Sequence, residues 1–173
     1  MGDKAQKWPG IELSNEDLMG RKVTQTRYHP RAQFSWAAGE AMSRFLNELK
    51  EGRLIGRECK HCDKILFPPR MFCEQCFKPT SRWVYVKDTG TIQTFSISYL
   101  DKDAKRITDP IFVGVVSIDG ASEKMGIMHY FGEVTKDTIR IGLKVKAKWK
   151  PEGERVGSIL DIEYFRPLKE GSP

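Results

Sequence analysis

The spacing of apolar residues changes period along this chain, and the changes divide it. From Phe34 to Glu51 the residues Phe34, Ala38, Ala41, Met42, Phe45, Leu46 and Leu49 recur at three- and four-residue steps. That stripe predicts one amphipathic helix, and Gly52 supplies its stop. Beyond Leu54 the helical period ends, and after Trp83 the chain reads as strands. Trp83–Val86 is the first, and Asp88-Thr89-Gly90 is a turn. Thr91–Tyr99 is rich in β-branched and aromatic residues, with Phe95, Ile97 and Tyr99 on one face. Leu100–Pro110 reads as a polar loop. Ile111–Ile118 is almost continuously apolar, as a well-buried strand would be, and Asp119-Gly120 ends it. Lys124–Phe131 predicts another strand. Lys144–Lys150 alternates strictly, with Val145, Ala147 and Trp149 on one side and four lysines on the other. This is a half-buried strand with a cationic outer row. Ile159–Phe165 is expected to be the last strand. Short strands joined by short turns fit a small closed barrel such as the OB-fold.

Ahead of the helix, Met1–Pro30 keeps no sustained period and is expected to be an extended arm. Within it, Ser14 and Asp17 have the spacing of a helix-capping pair. No apolar run reaches the roughly 18 residues that a membrane helix needs. The first ten residues hold no apolar core of a secretory signal, so a cytoplasmic location is expected.

Composition changes this picture little. The chain has 173 residues, 39% hydrophobic and 30% charged, as in an ordinary soluble domain. A net charge of +6 suits an anionic partner such as a phosphorylated cofactor or nucleic acid. The cations are nevertheless dispersed among 23 acids, which an ordinary solvated surface explains equally well.

The strongest chemical signal is the cysteine spacing. Cys59-x-x-Cys62 and Cys73-x-x-Cys76 are separated by ten residues, and the chain has no other cysteine. A two-residue spacer turns both sulfurs of a pair into one knuckle, and two facing knuckles complete a tetrahedron. One zinc ion on four thiolates is expected, with iron as the less favoured occupant of the same ligand set. Two disulfides or a redox-active pair are the other readings, and a reducing compartment disfavours disulfides. Four thiolates leave no open coordination position, so the ion is expected to be structural. Such knuckles often place glycine after the second cysteine, where a left-handed backbone helps. Here those positions hold Asp63 and Phe77.

Other catalytic constellations are thin. His29, His61 and His129 have no evident nucleophile near them in sequence, and no phosphate-binding or nucleophile-elbow motif occurs. With all four cysteines assigned to metal, catalysis by this chain alone is not expected.

The order helix, four-cysteine ribbon, barrel resembles the acyl-CoA-associated zinc-ribbon plus OB-fold family of archaea and bacteria, long catalogued as a domain of unknown function. The likeness spans roughly residues 40 to 165. It is carried by Phe45–Gly52 leading into Arg57-Glu58-Cys59, by Pro68-Pro69-Arg70 ahead of Cys73, and by the Gly90–Ser96 segment. Pro110, Val113–Gly120 and Ile141–Val145 follow in order. The resemblance implies a mainly β fold with an N-terminal helix and a rubredoxin-like zinc ribbon followed by a C-terminal OB-fold barrel. The corresponding divisions are 1–52 for arm and helix, 53–82 for the ribbon, 83–168 for the barrel and 169–173 for a tail.

The resemblance also implies a non-catalytic companion of a thiolase-superfamily enzyme that helps hold or cover coenzyme A. A benzoylsuccinyl-CoA thiolase or an archaeal-type acetoacetyl-CoA complex is the candidate setting, with an aldolase as the other form of partner. Arg70 is the single best candidate for a coenzyme A phosphate contact. The competing class is a single-stranded nucleic-acid binder, for which Phe95, Tyr99, Phe112 and Tyr130 are candidate stacking platforms.

Overall fold

The computed structural model describes residues 14–20 and 30–168. The expectations for the arm and tail at 1–13, 21–29 (which includes His29) and 169–173 lie outside the described residues. The described residues fall into two compact units, divided between Trp36 and Ala37. In the first unit, helix α1 (Asn15–Met19) begins at the predicted capping pair: the Ser14 hydroxyl accepts the Asp17 N–H, and the Asp17 carboxylate accepts the Ser14 N–H.

The second unit opens with helix α2, Gly39–Lys50, five residues shorter at its start than the apolar period suggests. Gly39 takes φ +74°, a left-handed setting. Phe34 and Ala38 therefore continue the period without joining helical turns. At the other end the predicted stop is a Schellman cap. Gly52, at φ +72°, donates its N–H to the Leu49 carbonyl, and Arg53 donates to that of Glu48. A Cβ at Gly52 would stand 2.6 Å from the Arg155 guanidinium, so only glycine fits this turn without moving Arg155.

Two β-modules follow. Strands β1 (Leu54–Cys59), β2 (Lys64–Leu66) and β3 (Trp83–Val86) form a sheet in the order β2-β1-β3, with both pairings antiparallel. Strands β4 (Thr89–Leu100), β5 (Arg106–Ile118), β6 (Gly126–Phe131), β7 (Lys144–Trp149) and β8 (Ile162–Pro167) form a closed barrel in the order β4-β5-β6-β8-β7. The ring is completed by the antiparallel β4–β7 pairing and by a single parallel bridge, Phe131 to Phe165, between β6 and β8. The fold is thus mainly β with few helices, a ribbon followed by a barrel.

Two sequence expectations change. The polar loop ends at Lys105, because β5 starts at Arg106 and pairs it with Leu100. The last strand starts at Ile162, because Ile159–Asp161 is a 3-10 turn capped by the Ser158 hydroxyl. The short polar side chains there compete with the ladder for backbone hydrogen bonds.

Ribbon and barrel share one hydrophobic core. Phe45 and Leu49 of α2 are buried with Leu54, Ile55 and Phe67 of the ribbon and with Ile92, Val116 and Phe165 of the barrel. The Phe45 and Phe67 rings meet edge to face at 5.6 Å. The Ile65 N–H donates to the Ser122 hydroxyl at 2.9 Å, and the Ser122 N–H donates to the Ile65 carbonyl at 3.0 Å, which ties β2 to the turn before β6. Among the described residues, no helix is long and apolar enough to cross a membrane.

Candidate metal centre

Cys59 closes β1 and Cys62 follows in the turn to β2, while Cys73 and Cys76 sit on a tight turn facing them. The turn carrying the second pair is held by the Phe77 N–H donating to the Cys73 carbonyl and the Cys73 N–H donating to the Lys78 carbonyl, each at 2.9 Å. Asp63 at φ +51° and Phe77 at φ +57° take the left-handed backbone that knuckles need, although neither is glycine. The departure from glycine therefore leaves the knuckle shape intact.

The four sulfurs lie within 4.8 Å of one another. Cys59 Sγ is 3.6 Å from Cys76 Sγ, and Cys62 Sγ is 3.8 Å from Cys73 Sγ. A regular tetrahedron with zinc–sulfur bonds of about 2.3 Å requires sulfurs roughly 3.8 Å apart. The set therefore fits one tetrahedral ion, while these separations are far too long for a disulfide, whose sulfurs are about 2.05 Å apart. Cys59 and Cys73 are buried, and the other two are half-buried.

Electrostatics favours the same occupant. The Cys73 thiol is drawn down to about 6, first by the backbone hydrogen bond from Cys76 and then by that from Gln75. The Cys62 thiol is pushed up to about 12, first by its sulfur hydrogen bond with Cys76 and then by desolvation. Four sulfurs this close cannot all hold negative charge unaided, and a divalent cation at their centre removes that conflict. His61 stands outside the quartet, its Nδ1 3.9 Å from Cys62 Sγ.

Behind the knuckles lies a network for which the sequence offered no role. Arg57 is buried, and its guanidinium donates to the Thr80 hydroxyl (2.6 Å), the Thr80 carbonyl (2.9 Å) and the Ser81 carbonyl (2.8 Å). The Thr80 hydroxyl in turn reaches the Arg70 and Met71 carbonyls at 2.7 and 3.1 Å. Arg57 also lies over the Trp83 ring, 4.5 Å from its centroid. This fork fixes the second knuckle to β1. Arg57→Lys is expected to cost about 2 kcal/mol, because a point charge cannot satisfy the same three acceptors. A lowered urea midpoint with unchanged metal content checks this.

The other sequence candidates disperse. Arg70 is about half exposed and paired with Glu74. The lysine row of β7 faces outward and meets carboxylates: Lys144 with Asp119 at 2.9 Å, Lys146 with Asp88 at 3.9 Å and Lys148 with Glu163 at 2.8 Å. Lys144 and Lys146 border a cleft of about 670 Å³ between ribbon and barrel that also includes Arg53 and Lys87. Of the candidate stacking platforms, Phe95 and Phe112 are half-buried against the core, whereas Tyr99 and Tyr130 are exposed. His129 is buried: its Nε2 lies 3.1 Å from the Ile159 carbonyl, and its Nδ1 accepts the Tyr130 N–H at 2.9 Å. One neutral tautomer satisfies both contacts, and burial holds the ring below the ordinary imidazole range.

Two family models match in tandem. The rubredoxin-like zinc ribbon domain of ChsH2 matches residues 46–81, and the C-terminal OB-fold domain of ChsH2 matches residues 83–150. The chain belongs to the DUF35 zinc-ribbon/OB-fold family. A DUF35 domain-containing scaffold protein of Methanocaldococcus jannaschii is 22% identical over 121 residues, covering 67% of this chain and 82% of that protein. A DUF35 protein of unknown function from Sulfolobus solfataricus superposes with a TM-score of 0.54 at 28% identity, covering 63% of this chain and 78% of that one. The Ltp2-ChsH2(DUF35) aldolase structure superposes with a TM-score of 0.55 at 18% identity, covering 77% of this chain and 98% of that one. This last likeness shows the fold alone. The DUF35 ribbon and the cysteine quartet together support a structural zinc ion.

Proposed function

We propose that this chain is a zinc-containing, non-catalytic companion subunit of an acyl-CoA enzyme of the thiolase superfamily. The observation that carries the reading is the closed cysteine quartet. Cys59, Cys62, Cys73 and Cys76 hold the ion, all four thiolates are used, and no thiol is left to attack a thioester. Bound zinc contributes rigidity to the ribbon and no open coordination position. The names of the relatives point the same way: one is called a scaffold protein, and another is a ChsH2 chain joined with Ltp2 in an aldolase.

In this reading the reacting groups belong to the partner, and this chain helps hold or cover coenzyme A or its acyl thioester. Arg70 is assigned to a coenzyme A phosphate, which would take the place of Glu74 on its guanidinium. A benzoylsuccinyl-CoA thiolase or an acetoacetyl-CoA thiolase complex is the preferred setting, and an aldolase is the other form of partner. Four reduced thiols suit the cytoplasm. Exposed Tyr99 and Tyr130 favour the second reading, a single-stranded nucleic-acid binder.

The test is isolation of the tagged chain from its own cells. A thiolase-superfamily subunit is expected to co-purify and to carry the acyl-thioester activity, with none in the chain alone. Micromolar binding to single-stranded oligonucleotides that weakens steeply with salt would favour the second reading. Turnover of an acyl thioester by the chain alone would overturn the first.

A further inference from the structure

We propose that Phe77 is an aromatic plug with which the second cysteine knuckle seats in an apolar socket of the partner subunit, an inference that rests on the companion reading above. The first observation is a conflict inside the chain. Phe77 holds φ +57°, a region that side chains bearing a Cβ avoid and that glycine enters freely. The matching position of the first knuckle, at φ +51°, is occupied by Asp63, whose short polar side chain tolerates that backbone. A phenylalanine has no such local compensation, and it gains little from its own fold, because 81% of it is exposed. An apolar ring in a disfavoured backbone setting, turned to solvent, has its use outside the chain.

The second observation is how firmly the ring is presented. The knuckle is closed by the Phe77 N–H donating to the Cys73 carbonyl and the Cys73 N–H donating to the Lys78 carbonyl, and Phe72 bridges to Pro79 on the same hairpin. A plug fixed in advance loses little conformational freedom on docking, which favours affinity. Phe72, on the same hairpin, is also 61% exposed, so the aromatic surface there is not one isolated side chain.

Charge defines the socket's rim. Lys78 follows the ring directly and is exposed, and on the first knuckle Lys60 and Asp63 are exposed as well. The complementary surface is therefore an apolar pocket with a carboxylate on the side that meets Lys78. A ring buried in such a pocket has the character of an interface hot spot, and the flanking lysines serve orientation and encounter rate.

The experiment uses the full chain and the thiolase-superfamily subunit that co-purifies with it, identified by mass spectrometry and then purified. Phe77→Gly and Phe77→Asn both suit the left-handed backbone and remove the ring. Phe77→Gly is expected to raise the melting temperature by about 2–4 °C with metal content unchanged. The same variant is expected to weaken binding of the subunit by about thirtyfold or more, mainly through faster dissociation. Phe77→Asn is expected to weaken it comparably, and Phe77→Leu to retain most of the affinity. Wild-type affinity in the glycine and asparagine variants overturns the proposal and leaves the companion reading intact. Loss of binding accompanied by loss of metal or of thermal stability in both variants also overturns it, since the ring would then be structural. If no thiolase-superfamily subunit accompanies the wild-type chain, the companion reading falls and the plug falls with it.

Discussion

Cys59→Ser is expected to empty the metal site and unfold the ribbon. Cys59 is buried at the end of β1, so its sulfur faces the quartet and no solvent. Serine shortens the bond to the ion and offers a poor ligand in place of a thiolate. Zinc binding contributes on the order of 10–16 kcal/mol in zinc-finger peptides, more than the whole stability of many domains. The ribbon's β2 is only three residues long and its second knuckle has one isolated bridge, so the Arg57 fork and a few backbone bonds are what hold these parts beside the ion. Metal content should fall from one ion per chain to nearly none. Amide exchange should rise across residues 54–86, the span of the ribbon sheet. A metal-free chain with native exchange in that span would refute the structural role of the ion.

The next largest effect is expected at Asp161, where Asp161→Ala should cost about 3–5 kcal/mol and lower the melting temperature by about 10 °C. Its carboxylate is fully buried and accepts three backbone N–H groups: Gly157 at 2.7 Å, Ser158 at 2.9 Å and Val156 at 3.1 Å. Removing it leaves these donors with no acceptor in the loop that packs under α2. Burial works against the charged form, but the bonds from Ser158, Val156 and Gly157 outweigh it and hold the pKa below the usual aspartate value. A depressed carboxylate contributes stability that is present above the unfolded pKa of about 3.9 and is lost as pH falls through the lower folded value. Thermal melts from pH 7 down to pH 2 should show this loss in the wild type and a flatter acid limb in Asp161→Asn. An unchanged melting temperature in the alanine variant would refute the assignment.

What the sequence revealed depends on how local each signal is. The cysteine quartet was legible because two residues of spacing set the geometry of a knuckle almost without help from the rest of the chain. β7 was legible for a similar reason: Val145 and Ala147 are buried while Lys144 and Lys146 face out, so each side chain records its own face. The beginning of α2 was not, since Phe34 and Ala38 extend the apolar period and only the backbone at Gly39 shows where the turns begin. The start of β5 was hidden because Arg106 to Pro110 are mostly polar and only Arg106 is paired, with Leu100 across an irregular register, where composition is a weak guide. Arg57 and Thr80 are 23 residues apart. Their bond depends on β1 and β3 lying side by side, which no window of sequence contains. Asp161 was hidden by the reading of its segment as strand. The cap supplied by Ser158, not apolar alternation, governs those residues.

The clamp between Ile65 and Ser122, laid over a single buried cluster, makes the two β-modules one cooperative body. Chelation of the ion therefore reaches beyond its own loops. A barrel deprived of its folded neighbour would leave Ile92, Val116 and Phe165 with a vacated flank, so residues 37–168 are expected to melt in one step rather than two. Supply of the metal is thus expected to govern how much of the intact chain a cell can keep.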